Sequence, residues 1–219
     1  MPADDLGMSF LYGTQVECLY SMPAKGAAMT AASSTVMTQA NAGQVAGGAY
    51  QLPAGFFAAP STQGPGRSML IKGGGYWSVG GTSVTMTLTW NLDTTAGTAL
   101  AGGLLGSTGA ITPQAVSTSG LFDFEIMVTC TATGASAGVL QTIGALRYGA
   151  TTAINGMTAT LGTFGTTMTT STLMIGGVNA GLGSFNTQQA YFTEMFGAWS
   201  ATTNSPSITL SNFYVFGLN

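Results

Sequence analysis

Between Thr82 and Leu92 the chain reads TSVTMTLTWNL, and apolar and polar residues alternate without a break. Val84, Met86, Leu88, Trp90 and Leu92 share one parity; Ser83, Thr85, Thr87, Thr89 and Asn91 share the other. A period of two sorts these residues onto the two faces of an extended strand, whereas a helix would scatter them around its circumference. The β-branched Thr residues suit a pleated surface. The segment is therefore predicted to be a strand with one buried and one wet face. Phe122, Phe124, Ile126, Val128 and Cys130 repeat the pattern, opposed by Asp123, Glu125, Met127 and Thr129. GASAG at 134–138 predicts a turn, and Val139–Tyr148 a returning strand.

The remaining segments carry weaker versions of the same signal. Thr14–Met22 predicts a first strand, with a short one around Val36. Ala49–Phe57 is interrupted by Pro53, which cannot donate to a ladder, and is expected to be an edge strand or a turn. Lys72-Gly73-Gly74-Gly75 is expected to form a turn or bulge. It is not a phosphate loop, because that motif has its Lys after the glycines and a helix behind it. Residues 149–171 are nearly all Gly, Ala, Thr and single apolar residues, and are expected to be loop with one or two short strands. Thr172–Ile175 predicts a short strand; Gln188–Ser200 and Ser207–Phe216 are aromatic segments of extended character. No capped amphipathic helix of normal length is present. About eight to ten strands at these spacings predict an all-β jelly-roll β-sandwich over 49–219, preceded by an N-terminal arm and irregular connection over 1–48.

Charge limits the chemistry. The chain has 219 residues with 4 Lys and Arg, 7 Asp and Glu and no His, for a net charge of −3. An average domain is about 25% charged; this chain is 5% charged. Without His, Ser–His and Cys–His nucleophile pairs are impossible, and without a Cys or His cluster zinc is excluded on ligand grounds. Asp4-Asp5 and the scattered acids match no calcium loop. No catalytic residue, cofactor or metal is expected. The basic residues stand at 25, 67, 72 and 147, too dispersed for nucleic acid or an anionic membrane surface. No stretch approaches the ~18–20 apolar residues of a spanning helix. MPADDLGMSF has neither the basic start nor the apolar run of a secretory signal, so synthesis in a cytoplasm without a cleaved leader is expected. In that compartment Cys18 and Cys130 are expected to be buried thiols, with a disulfide as the alternative.

Two clusters stand out. Asp123 and Glu125 share a strand face about 7 Å apart, the kind of carboxylate pair that glycosidases use. A hairpin around 134–137 places Arg147 roughly opposite Glu125, with Leu146 and Tyr148 beside Ile126 and Phe124. That consistency favours a structural ion pair among Asp123, Glu125 and Arg147 over catalysis. Tyr191, Phe192, Phe196, Trp199, Phe213, Tyr214 and Phe216 crowd the last part of the chain. Phe213–Phe216 puts large residues on both faces of a strand, which suits either a core or an interface between copies of the chain, where aromatics are enriched and charges depleted.

GGGYWSVGG (73–81), TSVTMTLTWNL (82–92), LFDFEIMVTCTATGASAGVLQTIGALRYG (121–149) and FGAWSATTNSPSITLSNFYVFGLN (196–219) together resemble the small jelly-roll virion proteins of tailed bacteriophages, which include capsid decoration proteins and minor tail proteins. The resemblance runs over roughly 50–219 and rests on pattern and composition. It implies a homotrimer of the tumour-necrosis-factor-like kind, with the aromatic residues above as the three-fold contact. As a decoration protein it would bind the major capsid protein at the virion surface. A minor tail or baseplate protein and a lectin-like jelly roll are the alternatives. A lectin would expose Trp77, Trp90 or Trp199 as a platform; a cement protein would bury them.

Overall fold

Alternating and Thr-rich segments are extended throughout, and the described residues contain no helix. The computed structural model describes residues 16–30, 35–36, 39–40, 44–45, 49–58, 66–80, 84–96, 104–112, 116–149, 159–163, 166–178, 185–202 and 205–218. The arm expected over 1–13 lies outside them. In chain order the strands are β1 (Val16–Ser21), β2 (Thr35–Val36), β3 (Gln39–Ala40), β4 (Gln44–Val45), β5 (Tyr50–Leu52), β6 (Ser68–Val79), β7 (Met86–Asp93), β8 (Leu104–Ser107), β9 (Val116–Ala132), β10 (Val139–Gly149), β11 (Ala159–Thr163), β12 (Thr166–Val178), β13 (Tyr191–Trp199) and β14 (Ser207–Leu218).

Two antiparallel sheets form a sandwich, consistent with a jelly roll. The larger has seven strands in the order β1-β14-β6-β9-β10-β12-β11. The smaller has the order β2-β13-β7-β8, with β5 also paired to β13, and β3 and β4 pair separately. Within 1–48, β1 is the outer strand of the large sheet against β14, and Met29 exchanges backbone hydrogen bonds with Ile208 and is buried.

The alternation read from the sequence is what fills the space between the sheets. Ile71 and Trp77 on β6, Phe124 and Ile126 on β9, and Phe213 and Val215 on β14 meet Leu88, Trp90 and Met195 from the small sheet in one continuous core. Trp90 lies 5.0 Å from Phe124 between ring centroids, and Phe124 lies 6.2 Å from Phe213, so an aromatic chain crosses the sandwich. Such pairs add about 0.5–1.5 kcal/mol each beyond the area they bury. Thr142 on β10 ties the sheets together by donating to the Leu105 carbonyl on β8 at 2.6 Å. Pro53 ends β5: its carbonyl accepts from Phe56 N in a turn that has Gly55 at φ +77°.

Four expectations need correction. The Lys72–Gly75 segment is no turn; it lies inside the twelve-residue strand β6, between β14 and β9. Its glycines serve close approach. A Cβ on Gly75 would sit 1.9 Å from the Thr209 carbonyl oxygen, and one on Gly73 would sit 2.6 Å from the Phe124 ring. The bulge is on the partner strand, where the β14 register shifts between Leu210 and Asn212. Residues 149–171, expected to be loop with one or two short strands, hold β11 and the start of β12, a thirteen-residue strand that runs on to Val178 and pairs first with β11 and then, over Thr170–Val178, with β10. Its Thr and Gly residues lack apolar alternation, so the neighbouring strand decides its conformation. The polar face of β7 is not wet: Thr89 and Asn91 are buried within the single chain. Parity groups residues by face but does not say what lies over that face. Finally, Arg147 is directly opposite Asp123, with Leu146 opposite Phe124 and Tyr148 opposite Phe122, two residues from the expected register. A register shift between Val139 and Leu140 sets this pairing. A slip of two keeps every side chain on its face and changes only its partner.

Candidate interaction surface

The outward face of the large sheet is built row by row by the strand register. One row runs Phe216 on β14, Leu70 on β6, Met127 on β9 and Ile143 on β10. Ile143 is 61% exposed, while Phe216, Leu70 and Met127 are half-buried. Beside it runs Tyr214, Lys72, Glu125 and Ala145; the next row pairs Asp123 with Arg147. Tyr214 stacks on Phe216 at 6.1 Å between centroids. Glu125, Met127, Ile143, Gly144, Ala145 and Arg147 line a shallow groove on this face.

The charges here cancel locally. Lys72 Nζ lies 3.0 Å from Glu125 Oε2, and Arg147 pairs with Asp123. The carboxylates expected to share Arg147 are thus divided between two cations. The other two cations are also engaged. Arg67 pairs with Glu17 at 2.5 Å and lies over the Phe56 ring. Lys25 lies over the Tyr76 ring, and its hydrogen bond to the Tyr76 hydroxyl is the main cause that holds that pKa below the ordinary tyrosine value. Among the described residues no group of three or more His, Cys, Asp or Glu could hold a metal.

The seven aromatic residues expected at an interface divide by face. Tyr191, Trp199 and Phe213 belong to the chain's own core, and Phe196 is buried outside that core cluster. Phe192 is half-buried. Strand alternation turns Phe213 inward and sends Tyr214 and Phe216 to the outer face, so only the latter two join the surface row. Leu70, Met127 and Ile143 were not singled out from the sequence, although a signal existed: Met127 stands on the polar parity of Asp123 and Glu125, and Ile143 on that of Arg147. Trp77, Trp90 and Trp199 are all buried, so none forms a surface platform.

Both cysteines are free. Cys130 is buried, which raises its thiol pKa; Cys18 is exposed, contrary to the expectation that both thiols are buried. Cys18 lies opposite Phe216 on the outer strand of the sheet. A thiol reagent is expected to label Cys18 rapidly in the native protein and Cys130 only after denaturation, as followed by mass spectrometry. Equal labelling rates would contradict this burial. The Arg147–Asp123 pair has both side chains more than half exposed. Arg147→Ala is therefore expected to change stability by only about 0–1 kcal/mol in chemical denaturation.

No family model and no curated protein matches the chain. Three chains of solved structures match it, one of them in "Structure of infectious bursal disease virus Gt strain", with 14% identity and a TM-score of 0.26. That match covers 94% of this chain and spans about 40% of the other chain's length.

Proposed function

We propose that the chain is a non-enzymatic virion structural protein of the capsid-decoration kind, assembled as a homotrimer and bound to the major capsid protein. The observation that carries this reading is the outer face of the large sheet, where an apolar row, half-buried at Phe216, Leu70 and Met127 and exposed at Ile143, crosses four strands and the neighbouring charges are paired with one another. Such a face offers little for long-range attraction to phosphate or other ions. It suits close packing against another neutral protein surface, where apolar burial and shape supply the affinity. In this reading Tyr214, Phe216, Leu70, Met127 and Ile143 meet a second copy of the chain. The 1–48 region, the N-terminal arm and irregular connection, supplies the shell-facing contact, since an arm can wrap more area than a rigid face.

The burial of all three Trp side chains favours this role over the lectin-like one, which needs an exposed aromatic platform. A minor tail or baseplate position uses the same chemistry in fewer copies. Quantifying the protein in purified particles distinguishes the two: hundreds of copies on the shell support decoration, and a few at the tail support the alternative. Attachment is expected to survive molar salt, which shortens electrostatic screening to about 3 Å. Deleting residues 1–13 is expected to lower occupancy without unfolding the sandwich. Release of the protein by moderate salt alone would mean that ion pairs hold it, and would overturn this account of the contact.

A further inference from the structure

Residues 16–30 run antiparallel along one edge of β14, from Val16 opposite Leu218 to Met29 opposite Ile208. This strap lies on the surface. Ten of its fifteen residues are exposed, and no residue of β1 is fully buried. A register shift between Cys18 and Tyr20 interrupts the β1 ladder. Beyond β1 the backbone meets β14 at three points, where Met22, Gly26 and Met29 donate to the carbonyls of Phe213, Leu210 and Ile208 at 2.8–2.9 Å. A segment with few buried contacts and exposed hydrogen bonds opens at lower free energy than core strands do.

Side chains seated in sockets built by other elements hold the strap. Glu17 pairs with Arg67 at 2.5 Å, and Arg67 lies over the Phe56 ring and against Gly217. Tyr20 stacks on Tyr50 at 5.4 Å and meets Phe213 edge-on at 6.4 Å. Lys25 lies 5.0 Å from the centroid of the Tyr76 ring, and Met29 is buried. The two ends are matched in sign. The acid of the strap meets a cation of the seat, and the cation of the strap meets an aromatic face of the seat. A segment laid in the reverse direction would turn Lys25 toward Arg67, a like-charge mismatch that rejects it. In a chain with 4 Lys and Arg, two of them select this one segment.

Without the strap, β14 would present a twelve-residue edge beside β6. A bare edge is a template for another strand, and the sockets decide which strand fits. The same segment of a second copy makes every contact that the chain's own segment makes, so exchange of the identical element needs no new interface. We propose that residues 16–30 are an exchangeable strap, and that the β14 edge with its Arg67, Tyr50 and Tyr76 sockets binds the same segment of a second copy. This contact uses the edge of the large sheet, whereas the trimer contact proposed above uses its face.

Cys18 and Phe216 give the test, since they are directly opposed and opposed residues have Cβ atoms about 4.5–5.5 Å apart. The unaltered chain is incubated with a full-length variant carrying Cys18→Ser and Phe216→Cys, then treated with copper–phenanthroline, which accepts the two electrons as two thiols lose their protons and join. Neither chain holds both thiols, so a disulfide from Cys18 to position 216 forms only between copies. Mass spectrometry is expected to find it at least about tenfold above the level given by Leu121→Cys, which is exposed at the far end of the sheet. Hydrogen exchange is expected to be at least about tenfold faster at the strap amides than in β6 and β9. Arg67→Ala is expected to speed it there by a further two- to fivefold or so. If Phe216→Cys does not fold, Ser21→Cys against Tyr214→Cys, both exposed and opposed in the same register, repeats the test in the Cys18→Ser background. No disulfide above the Leu121→Cys level would overturn the exchange, as would strap amides that open only with the core. Trimers without this disulfide would refute the strap contact and leave the face contact standing; the disulfide in a chain that forms no trimer would do the reverse.

Discussion

Replacing Trp77 with alanine is expected to cost about 3–5 kcal/mol of stability, the range for truncating a fully buried aromatic residue. Trp77 has no exposed surface, and its indole lies directly on the backbone of β9 at Gly120. A Cβ built on Gly120 would come within 2.1 Å of the ring. The same contact therefore predicts that Gly120→Val is destabilising by about 1–3 kcal/mol or more, because an overpacked core must shift rotamers or strands. The two changes should not add. Once the indole is gone, a valine at 120 has room, so the double variant is expected to be more stable than the sum of the single losses implies. Denaturant unfolding followed by circular dichroism measures all three. A Trp77→Ala variant within about 1 kcal/mol of the unaltered chain, or strict additivity in the double variant, would show that this ring and this glycine do not share one space.

Ile143→Lys is expected to leave the fold intact and to weaken self-association by at least about tenfold, a loss typical of an interface anchor. Ile143 is the most exposed member of the apolar row on the large sheet and pairs across to Met127. A lysine there adds charge to a surface whose own charges are already paired, and self-association would bury that charge three times in a trimer. The change to monomer stability is expected to stay within about 0.5 kcal/mol, since little is packed around the side chain. Sedimentation across a concentration series, compared with a thermal melt, separates the two effects. An unaltered chain that remains monomeric would refute the proposed trimer. Association that is unchanged by Ile143→Lys would place the contact on another face.

Much of the fold was legible because strand alternation is a local property. TSVTMTLTWNL and FDFEIMVTC could satisfy their periods only as strands, and the inward parity of Trp90, Phe124 and Ile126 follows from spacing alone. The pairing of Asp123 with Arg147 was legible as to face but not as to partner, because a slip of two residues leaves both faces unchanged and a register shift at Val139 settles the choice. The glycines at 73–75 and the Thr-rich residues of β12 read as breaks because they carry no apolar signal; they are strands because neighbouring strands pair with them on both sides.

The surface and the buried polar pair depended on more distant information. Composition determined that this chain has almost no ionisable groups with which to do chemistry, and parity determined which residues share a face. Only the tertiary structure decided which faces are covered. It sent Phe213 into the core and Tyr214 and Phe216 to the outside, assembled Leu70, Met127 and Ile143 into one row, and buried Asn91 against Glu194. The physical reason is that periodicity is written along one strand, whereas burial depends on what the rest of the chain lays over it.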